Sequence, residues 1–337
     1  MVPGNPLSIS VVVPVYSGEA YLPELVRRLH DLSSDWRARA APFELAEAIL
    51  VDDAAIDRSA DTIDRLASEY DFVTALHLMR NFGQHSATVA GILHSSGDWV
   101  VTMDEDLQHS PGDIEALLAE AVRASSDIVY AKPTSAVHQQ RSRDWSSSGF
   151  KKLMVFLTGN RNIQHFNSFR CLRGSLARAG ASVCGHETYF DVALSWFTRR
   201  VSCLAVELKD QRVINSGQSG YDFWGLLTHA RRLLISSQIK LIRLFGILSV
   251  GIVILSMGGA LWVFIERLLF PSQIPTVGWT SLMLVILFFG GLTTFLVALV
   301  LEYMSILVLA AHGKPIFFTV DRATDRRLAE YFAAEGK

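Results

Sequence analysis

The chain has 337 residues, half of them apolar, with a formal net charge of −2 and an isoelectric point near 6.6. This length allows one large domain, or one domain together with a membrane segment. The nearly balanced charge gives no electrostatic support for a nucleic-acid partner. Three cysteines without a C-x-x-C pair argue against a disulfide framework or a zinc site and are typical of a reducing compartment.

Short apolar runs alternate with helical patterns through the first 130 residues. The runs predict strands at residues 9–15, 48–51, 73–78, 99–103 and 128–130. The patterns between them predict helices at residues 22–32, 61–70, 86–94 and 114–123. Strands that alternate with helices predict an α/β fold with a doubly wound, mostly parallel sheet. Ligands of such a sheet bind at the carboxyl ends of its strands.

The apolar excess is concentrated after residue 240. Residues 244–265 and 277–301 contain no charged side chain, and each run is long enough to cross the ~30 Å hydrocarbon core of a bilayer as a helix. Because the loop between them is short, the two runs predict a transmembrane hairpin. A pair of buried helices in a soluble protein is the alternative.

Basic residues on both outer sides of this hairpin predict, by the positive-inside rule, that both chain termini are cytoplasmic. The N-terminus lacks the pattern of a signal peptide, which agrees with a cytoplasmic first domain. Residues 222–243 mix apolar and basic positions, as an interfacial helix or an ordinary amphipathic domain helix would. The predicted organisation is a domain at 1–221, a juxtamembrane helix at 222–243, spans at 244–265 and 277–301, and a tail at 302–337.

Acidic side chains follow the fourth predicted strand in the string Asp104-Glu105-Asp106, and Gln108 comes two residues later. Like charges this close are costly unless a cation is bound. Oxygen ligands suit Mg²⁺ or Mn²⁺, which stabilise the charge on a departing nucleotide. An acidic surface turn is the usual explanation of such a pair, but its place at a strand end favours a metal site. Continued strand alternation would direct Asp104 and Asp106 to one side and Glu105 to the other.

Other candidate residues follow the first two strands. Asp52, Asp53 and Asp57 follow the second, where an acid can accept hydrogen bonds from a nucleobase or ribose. Asp57 or Asp61 could instead cap the next helix. Tyr16, after the first strand, could stack on a base or simply be a half-buried loop residue. The chain lacks the glycine motifs of dinucleotide and P-loop sites, which removes most support for those enzyme classes.

Four strings carry a resemblance to a known family: SVVVPVY at 10–16, VDD at 51–53, RNFGQ at 80–84 and MDEDLQ at 103–108. They resemble the family 2 glycosyltransferases of GT-A fold, in particular the polyprenyl-phosphate branch that includes bactoprenol glucosyltransferases and dolichyl-phosphate mannose synthases. The resemblance implies metal-dependent transfer of a sugar from a UDP- or GDP-sugar to a polyprenyl phosphate. It further implies an integral protein of a bacterial inner membrane and a homotetramer.

The resemblance also implies roles for individual residues. It places the metal and the donor diphosphate at Asp104, Asp106 and Gln108. It places the rest of the nucleotide-sugar at Pro14, Tyr16, Glu19, Asp52, Asp53, Gln84 and Ser219. It assigns the acceptor phosphate to Arg141, Arg143 and Arg170, and it gives Arg212 a catalytic place near the donor phosphates. The string VDDAAID at 51–57 departs from the family's V-D-D-G-S-x-D, and Asn167 stands where many members have Asp.

A phosphate acceptor agrees with these arginines, because a phosphate monoester is already anionic at pH 7 and needs a cationic cradle more than a general base. We therefore predict a single displacement that inverts the anomeric carbon. Two alternatives remain open. A processive polysaccharide synthase of the same fold usually carries a Q-x-x-R-W element, which residues 140–145 do not match. A catalytically silent scaffold is disfavoured by the intact D-x-D-x-Q string.

Overall fold

The computed structural model describes residues 6–133, 165–185, 188–206, 239–269, 278–311 and 325–335. The chain divides into two compact units. Of the described residues, the first unit holds 6–133, 165–185, 188–206 and 325–335, and the second holds 239–269 and 278–311. Four predicted site residues lie outside the described residues: Arg141, Arg143, Arg212 and Ser219. Residues 222–238 of the predicted juxtamembrane helix also lie outside them.

The first unit is built on a seven-stranded mixed sheet with the strand order β3-β2-β1-β4-β6-β5-β7. Its strands are β1 (Leu7–Val15), β2 (Phe43–Asp52), β3 (Val73–His77), β4 (Trp99–Thr102), β5 (Ile128–Pro133), β6 (Arg170–Arg173) and β7 (Val201–Val206). β6 runs antiparallel to β4 and β5, and the other neighbouring pairs are parallel. The predicted α/β fold with a mostly parallel sheet is therefore confirmed.

Helices cover both faces of this sheet. They are α1 (Leu22–Ala38), α2 (Ser59–Glu69), α3 (Gln84–His94), α4 (Asp113–Arg123), α5 (Gly174–Ser182) and α6 (Phe190–Phe197). Alternate residues of β1 point to opposite faces, so Val11 and Val13 pack in the cluster that contains Leu25 of α1, whereas Val12 packs in the cluster that contains Ile92 of α3. Burial on both faces explains why residues 11–15 of β1 are all apolar.

The second unit contains two long helices that pack on each other, α7 (Ile239–Leu269) and α8 (Trp279–Ala311). Within them, Val250–Leu269 and Leu282–Leu301 have mean hydropathies of 1.8 and 2.7, so both are long and apolar enough to cross a membrane. The buried share of these two segments is 0% and 6%, respectively, whereas the core helices of a soluble protein are mostly buried. The low burial argues against the alternative of two soluble core helices. Both helices extend beyond the spans predicted from the sequence.

The last described helix, α9 (Asp325–Glu335), packs on the first unit although it follows the second unit in the chain. Leu328 and Phe332 are buried in the core, and Phe332 stacks on Phe43 with ring centroids 5.9 Å apart. The Asp325 carboxylate accepts hydrogen bonds from Arg173 Nη2, with both oxygens 2.9 Å away. The end of the predicted tail is therefore an integral part of the first unit.

Candidate active site

Polar side chains gather at the edge of the sheet where β1, β2, β3 and β4 end. These four strands are parallel neighbours, so their carboxyl ends meet at one edge. The turn after β4 carries Asp104, Glu105 and Asp106, and it meets the loop after β1 through backbone hydrogen bonds to Glu105. The start of α3 reaches the same turn, because Gln84 contacts Asp104.

The Asp104 carboxylate is held from two sides. Its Oδ1 accepts a hydrogen bond from Gln84 Nε2 at 2.6 Å, and its Oδ2 accepts one from Ser168 Oγ at 2.9 Å. Its side chain remains 26% exposed, so the oxygens are accessible from the edge of the sheet. The carboxylate is thus fixed in place while it remains open to a ligand.

His109 supports the same turn from within the core. Its Nδ1 accepts the backbone N–H of Asp104 at 3.0 Å, which assigns the proton of a neutral ring to Nε2, 3.8 Å from Asp104 Oδ2. The ring stacks on Phe169 with centroids 4.7 Å apart. Burial lowers the pKa of His109, and the neighbouring carboxylates oppose that shift only in part. No motif or spacing in the sequence marks His109 for this role.

Asp106 and Gln108 pair with each other at the end of the turn. Asp106 Oδ2 accepts a hydrogen bond from Gln108 Nε2 at 2.9 Å, and its Oδ1 accepts the Gln108 N–H at 3.2 Å. Leu107 between them has a φ of 61°, which gives the turn its sharp bend. The amide of Gln108 therefore contacts a carboxylate, and its predicted place on a metal remains a prediction.

Glu105 ties the turn to the loop after β1. Its carboxylate accepts the N–H groups of Tyr16 at 2.7 Å and Ser17 at 3.2 Å, away from the contacts of Asp104 and Asp106. The sequence predicted this separation from strand alternation, but β4 ends at Thr102 and the turn produces it. Tyr16 is 42% exposed, and its role as a base-stacking residue remains a prediction.

The two adjacent acids at the end of β2, Asp52 and Asp53, hold neighbouring loops. Asp53 is buried, and its carboxylate accepts the N–H groups of Phe82 at 2.7 Å and Gly83 at 2.8 Å. Gly83 has a φ of 89°, a conformation that favours glycine, and it leads directly into α3. The Asp52 carboxylate accepts the Ala55 N–H at 2.8 Å. Both acids lie at the predicted edge, but their oxygens already bind protein groups.

The remaining nucleoside candidates lie near the start of α2. Glu19 is exposed, and its carboxylate accepts the Arg58 N–H at 3.2 Å. Asp57 accepts the N–H of Ser59, the first residue of α2, at 3.0 Å, so this acid acts at the helix start as the sequence allowed. Pro14 is buried in β1.

The surroundings of Arg170 do not match the contact with the acceptor phosphate that the resemblance implied. The residue is buried, and its guanidinium forms an ion pair with Asp191 and lies 4.8 Å from the centre of the Phe190 ring. Asp191 also accepts a hydrogen bond from the Tyr130 hydroxyl at 2.7 Å. A guanidinium that is buried and already paired with a carboxylate is a poor site for a lipid phosphate, so we leave Arg170 out of the proposed phosphate contacts. Asp191 has no motif in the sequence that would have revealed the pairing.

Residues 10–182 match the family model described as glycosyl transferase family 2. The chain belongs to this family. It is 28% identical to the undecaprenyl-phosphate 4-deoxy-4-formamido-L-arabinose transferase of Shewanella sediminis, over 93% of this chain and 92% of the relative. The enzyme of the same name from Pseudomonas aeruginosa strain LESB58 is 30% identical, over 95% of this chain and 92% of the relative.

A solved structure of Mycobacterium tuberculosis glucosyl-3-phosphoglycerate synthase in complex with Mn²⁺ and UDP-glucose is 15% identical, covers 68% of this chain and 77% of its own, and has a TM-score of 0.46. Family membership, together with the observed sheet, makes this chain a glycosyltransferase with a GT-A fold. The resemblance stated from the sequence is thus confirmed.

The carboxylates of this glycosyltransferase fit a divalent cation that is shared with substrate. Among residues whose side chains the structure describes, no group of three or more His, Cys, Asp or Glu could hold a metal by itself. Mg²⁺ sites commonly use one or two carboxylates and take their other ligands from substrate phosphates and water. Asp104 and Asp106, two residues apart on one turn, are the carboxylates that the sequence predicts for such a site, and their place on a metal remains a prediction.

Ser168→Ala tests whether the hold on Asp104 matters for catalysis. The change removes one of the two side-chain donors to the carboxylate, so we expect kcat to fall about threefold to tenfold and the Mg²⁺ requirement to rise. Steady-state rates over a Mg²⁺ titration measure both. Ser182→Ala is the control, because that hydroxyl bonds only the Ala179 carbonyl within α5. Wild-type kinetics in Ser168→Ala would contradict the expectation.

Proposed function

We propose that this glycosyltransferase moves a single sugar from a nucleotide-sugar to the phosphate of a polyprenyl lipid, with inversion at the anomeric carbon. The observation that carries the proposal is that one chain joins a GT-A sheet edge with Asp104 and Asp106 to two helices long enough to cross a membrane. A polyprenyl chain stays in the bilayer, so its transferase must work at a membrane. The two relatives named above are undecaprenyl-phosphate sugar transferases, which supports the same acceptor.

In this proposal the donor lies across the edge of the sheet. Its diphosphate lies against Asp104 and Asp106, and its nucleoside lies against the loops that carry Tyr16, Glu19 and Asp53. A Mg²⁺ or Mn²⁺ ion bound there would neutralise charge on the departing nucleoside diphosphate. The Gln84 and Ser168 hydrogen bonds hold Asp104 in place before the donor arrives, which limits reorganisation during the reaction.

The chemistry is one displacement. A phosphate oxygen of the lipid forms a bond to the anomeric carbon as the bond from that carbon to the diphosphate oxygen breaks. The nucleophile is already anionic, so the step needs positioning and charge stabilisation more than a general base. We propose that Arg141, Arg143 and Arg212 supply the cationic contacts for the acceptor and donor phosphates.

We further propose that α7 and α8 form a membrane hairpin and that the catalytic unit and both termini lie in the cytoplasm of a bacterium, at its inner membrane. This arrangement keeps Asp104 and Asp106 on the side where nucleotide-sugars are made and follows the positive-inside rule. The donor base, uracil or guanine, is left to experiment, as is the homotetramer that the resemblance implies.

The test incubates the detergent-purified chain with undecaprenyl phosphate, Mg²⁺ or Mn²⁺, and a panel of labelled UDP- and GDP-sugars that includes the UDP derivative of 4-deoxy-4-formamido-L-arabinose. Label is followed into the organic phase by thin-layer chromatography, beside an Asp106→Asn control. A single lipid-soluble product with one sugar is expected. A ladder of products would indicate a processive synthase, and transfer only to a water-soluble acceptor would overturn the lipid proposal.

A further inference from the structure

His77 stands between two carboxylates at the edge of the site. It is the last residue of β3, and its register partner on β2 is Asp52. Its Nδ1 lies 3.0 Å from Asp52 Oδ2, and its Nε2 lies 3.0 Å from Asp64 Oδ1 on α2. β3 pairs with β2 at the edge of the sheet, so β2 and α2 are the elements that enclose the ring, and these two aspartates are the charged groups that face it.

This geometry favours a doubly protonated ring. A neutral imidazole donates from only one nitrogen, so its other nitrogen would face a carboxylate with no proton between them. The imidazolium donates from both. In agreement, the hydrogen bond to Asp52 raises the pKa of His77, and Asp64 adds to that shift against the opposing effect of burial.

The ring holds a loop that matters for the donor. Asp52 Oδ2 contacts His77, while Asp52 Oδ1 accepts the Ala55 N–H and so fixes the loop after β2. Ala54 in that loop has a φ of 51°, a conformation that L residues adopt rarely and that therefore depends on outside contacts. Asp53, which stands between Asp52 and Ala54, accepts the backbone N–H groups of Phe82 and Gly83.

We propose that the His77 imidazolium is a positioning residue that fixes the Asp52 loop for the donor nucleoside; this inference rests on the proposed function. The pKa of His77 is raised in the folded chain, so the stabilisation that its imidazolium gives to the Asp52 loop is fully present below about pH 6.5. That stabilisation is lost as pH rises through the raised pKa. Nucleotide affinity should therefore fall as the ring loses its proton, although His77 itself does not touch the donor.

Two measurements on the full chain in detergent test the proposal. The first is hydrogen exchange of the amides in residues 53–58, corrected for intrinsic pH effects, from about pH 6 to about pH 9. The second is the Kd of UDP and of GDP with Mg²⁺, measured by calorimetry over the same range. In wild type we expect exchange to quicken and the Kd to rise about threefold to tenfold with pH.

Three variants separate the pH-dependent role of the His77 imidazolium from a general structural role of this residue. His77→Gln should give fast loop exchange and weak binding at every pH, and so should remove the pH dependence. Asp64→Asn keeps the Asp52 contact but loses the outer carboxylate, so it should move the midpoint to lower pH. His94→Gln is the control, because His94 is exposed near the far end of α3 and bonds only the Ala90 carbonyl.

The outcomes are distinguishable. Slow loop exchange in His77→Gln, or a wild-type pH profile in that variant, would overturn the role of His77. Absence of UDP and GDP binding by wild type at every pH would instead overturn the proposed function and the donor role of His77 with it. In that case the exchange measurement still decides whether the imidazolium holds the loop.

Discussion

Asp106→Asn should lower kcat by about 10²-fold to 10³-fold while the chain stays folded. Asparagine has nearly the same shape and can still accept a hydrogen bond from Gln108, so the turn should persist. What is lost is a negative charge beside the proposed cation and diphosphate, and a single misplaced electrostatic group at such a site costs a factor of this size. Steady-state transfer rates at saturating donor and Mg²⁺ provide the measurement.

Asp98→Asn is the matched control. Asp98 lies just before β4, at the opposite end of the strand that leads to Asp106, and its carboxylate accepts the N–H and the hydroxyl of Ser8 at 2.9 Å. The same chemical change there removes a charge far from the proposed cation, so kcat should stay near its wild-type value. Equal losses in the two variants would point to damaged folding and would contradict the catalytic assignment of Asp106.

The sequence was informative where one local pattern determines the structure. The apolar stretch of residues 11–15 in β1 predicted a buried strand, because a short apolar run rich in valine is typical of one. The acids after β4 were predicted at the carboxyl edge because parallel strands bring their ends together. The side occupied by Glu105 was also predicted, although a turn and not strand pleating places it there.

The sequence was silent where two distant segments must meet. Ser168 and Gln84 are far apart in the chain, and only the sheet brings both to Asp104. The antiparallel strand β6 is four residues long, too short for a periodic signal. The pairing of α9 with the first unit depends on Phe332 meeting Phe43, a contact that spans most of the chain. Propensity and spacing carry no information about such contacts.

Arg170 shows a different limit of inference from sequence. Its family position suggested a phosphate contact, because an arginine near a nucleotide site usually binds an anion. The anion that it binds is Asp191, whose carboxylate is supplied by α6 and is buried with it. A motif identifies a residue that the site needs, but only the packing tells whether it contacts substrate or supports the residues that do.

Arg170→Met should therefore destabilise the first unit by about 3–5 kcal/mol, because it leaves the Asp191 carboxylate buried without its cationic partner. Hydrogen exchange of the β6 amides in the full chain measures the free energy of opening. Arg27→Met is the matched control: Arg27 pairs with Glu24 and Asp31 on the surface, where the three side chains are 55%, 35% and 58% exposed, so its loss should cost far less stability than the loss of Arg170.

The double variant Arg170→Met with Asp191→Leu separates a structural role of Arg170 from a phosphate contact. Removal of both charges leaves no unpaired ion in the core, so much of the stability lost in Arg170→Met should return, less the contact that Asp191 gives to the Tyr130 hydroxyl. Kinetics then decide between the two roles of Arg170. A raised KM for undecaprenyl phosphate with unchanged stability in Arg170→Met would restore the phosphate contact. A stability loss that the second substitution reverses, with acceptor KM unchanged in the double variant, would establish the guanidinium as the buried partner of Asp191.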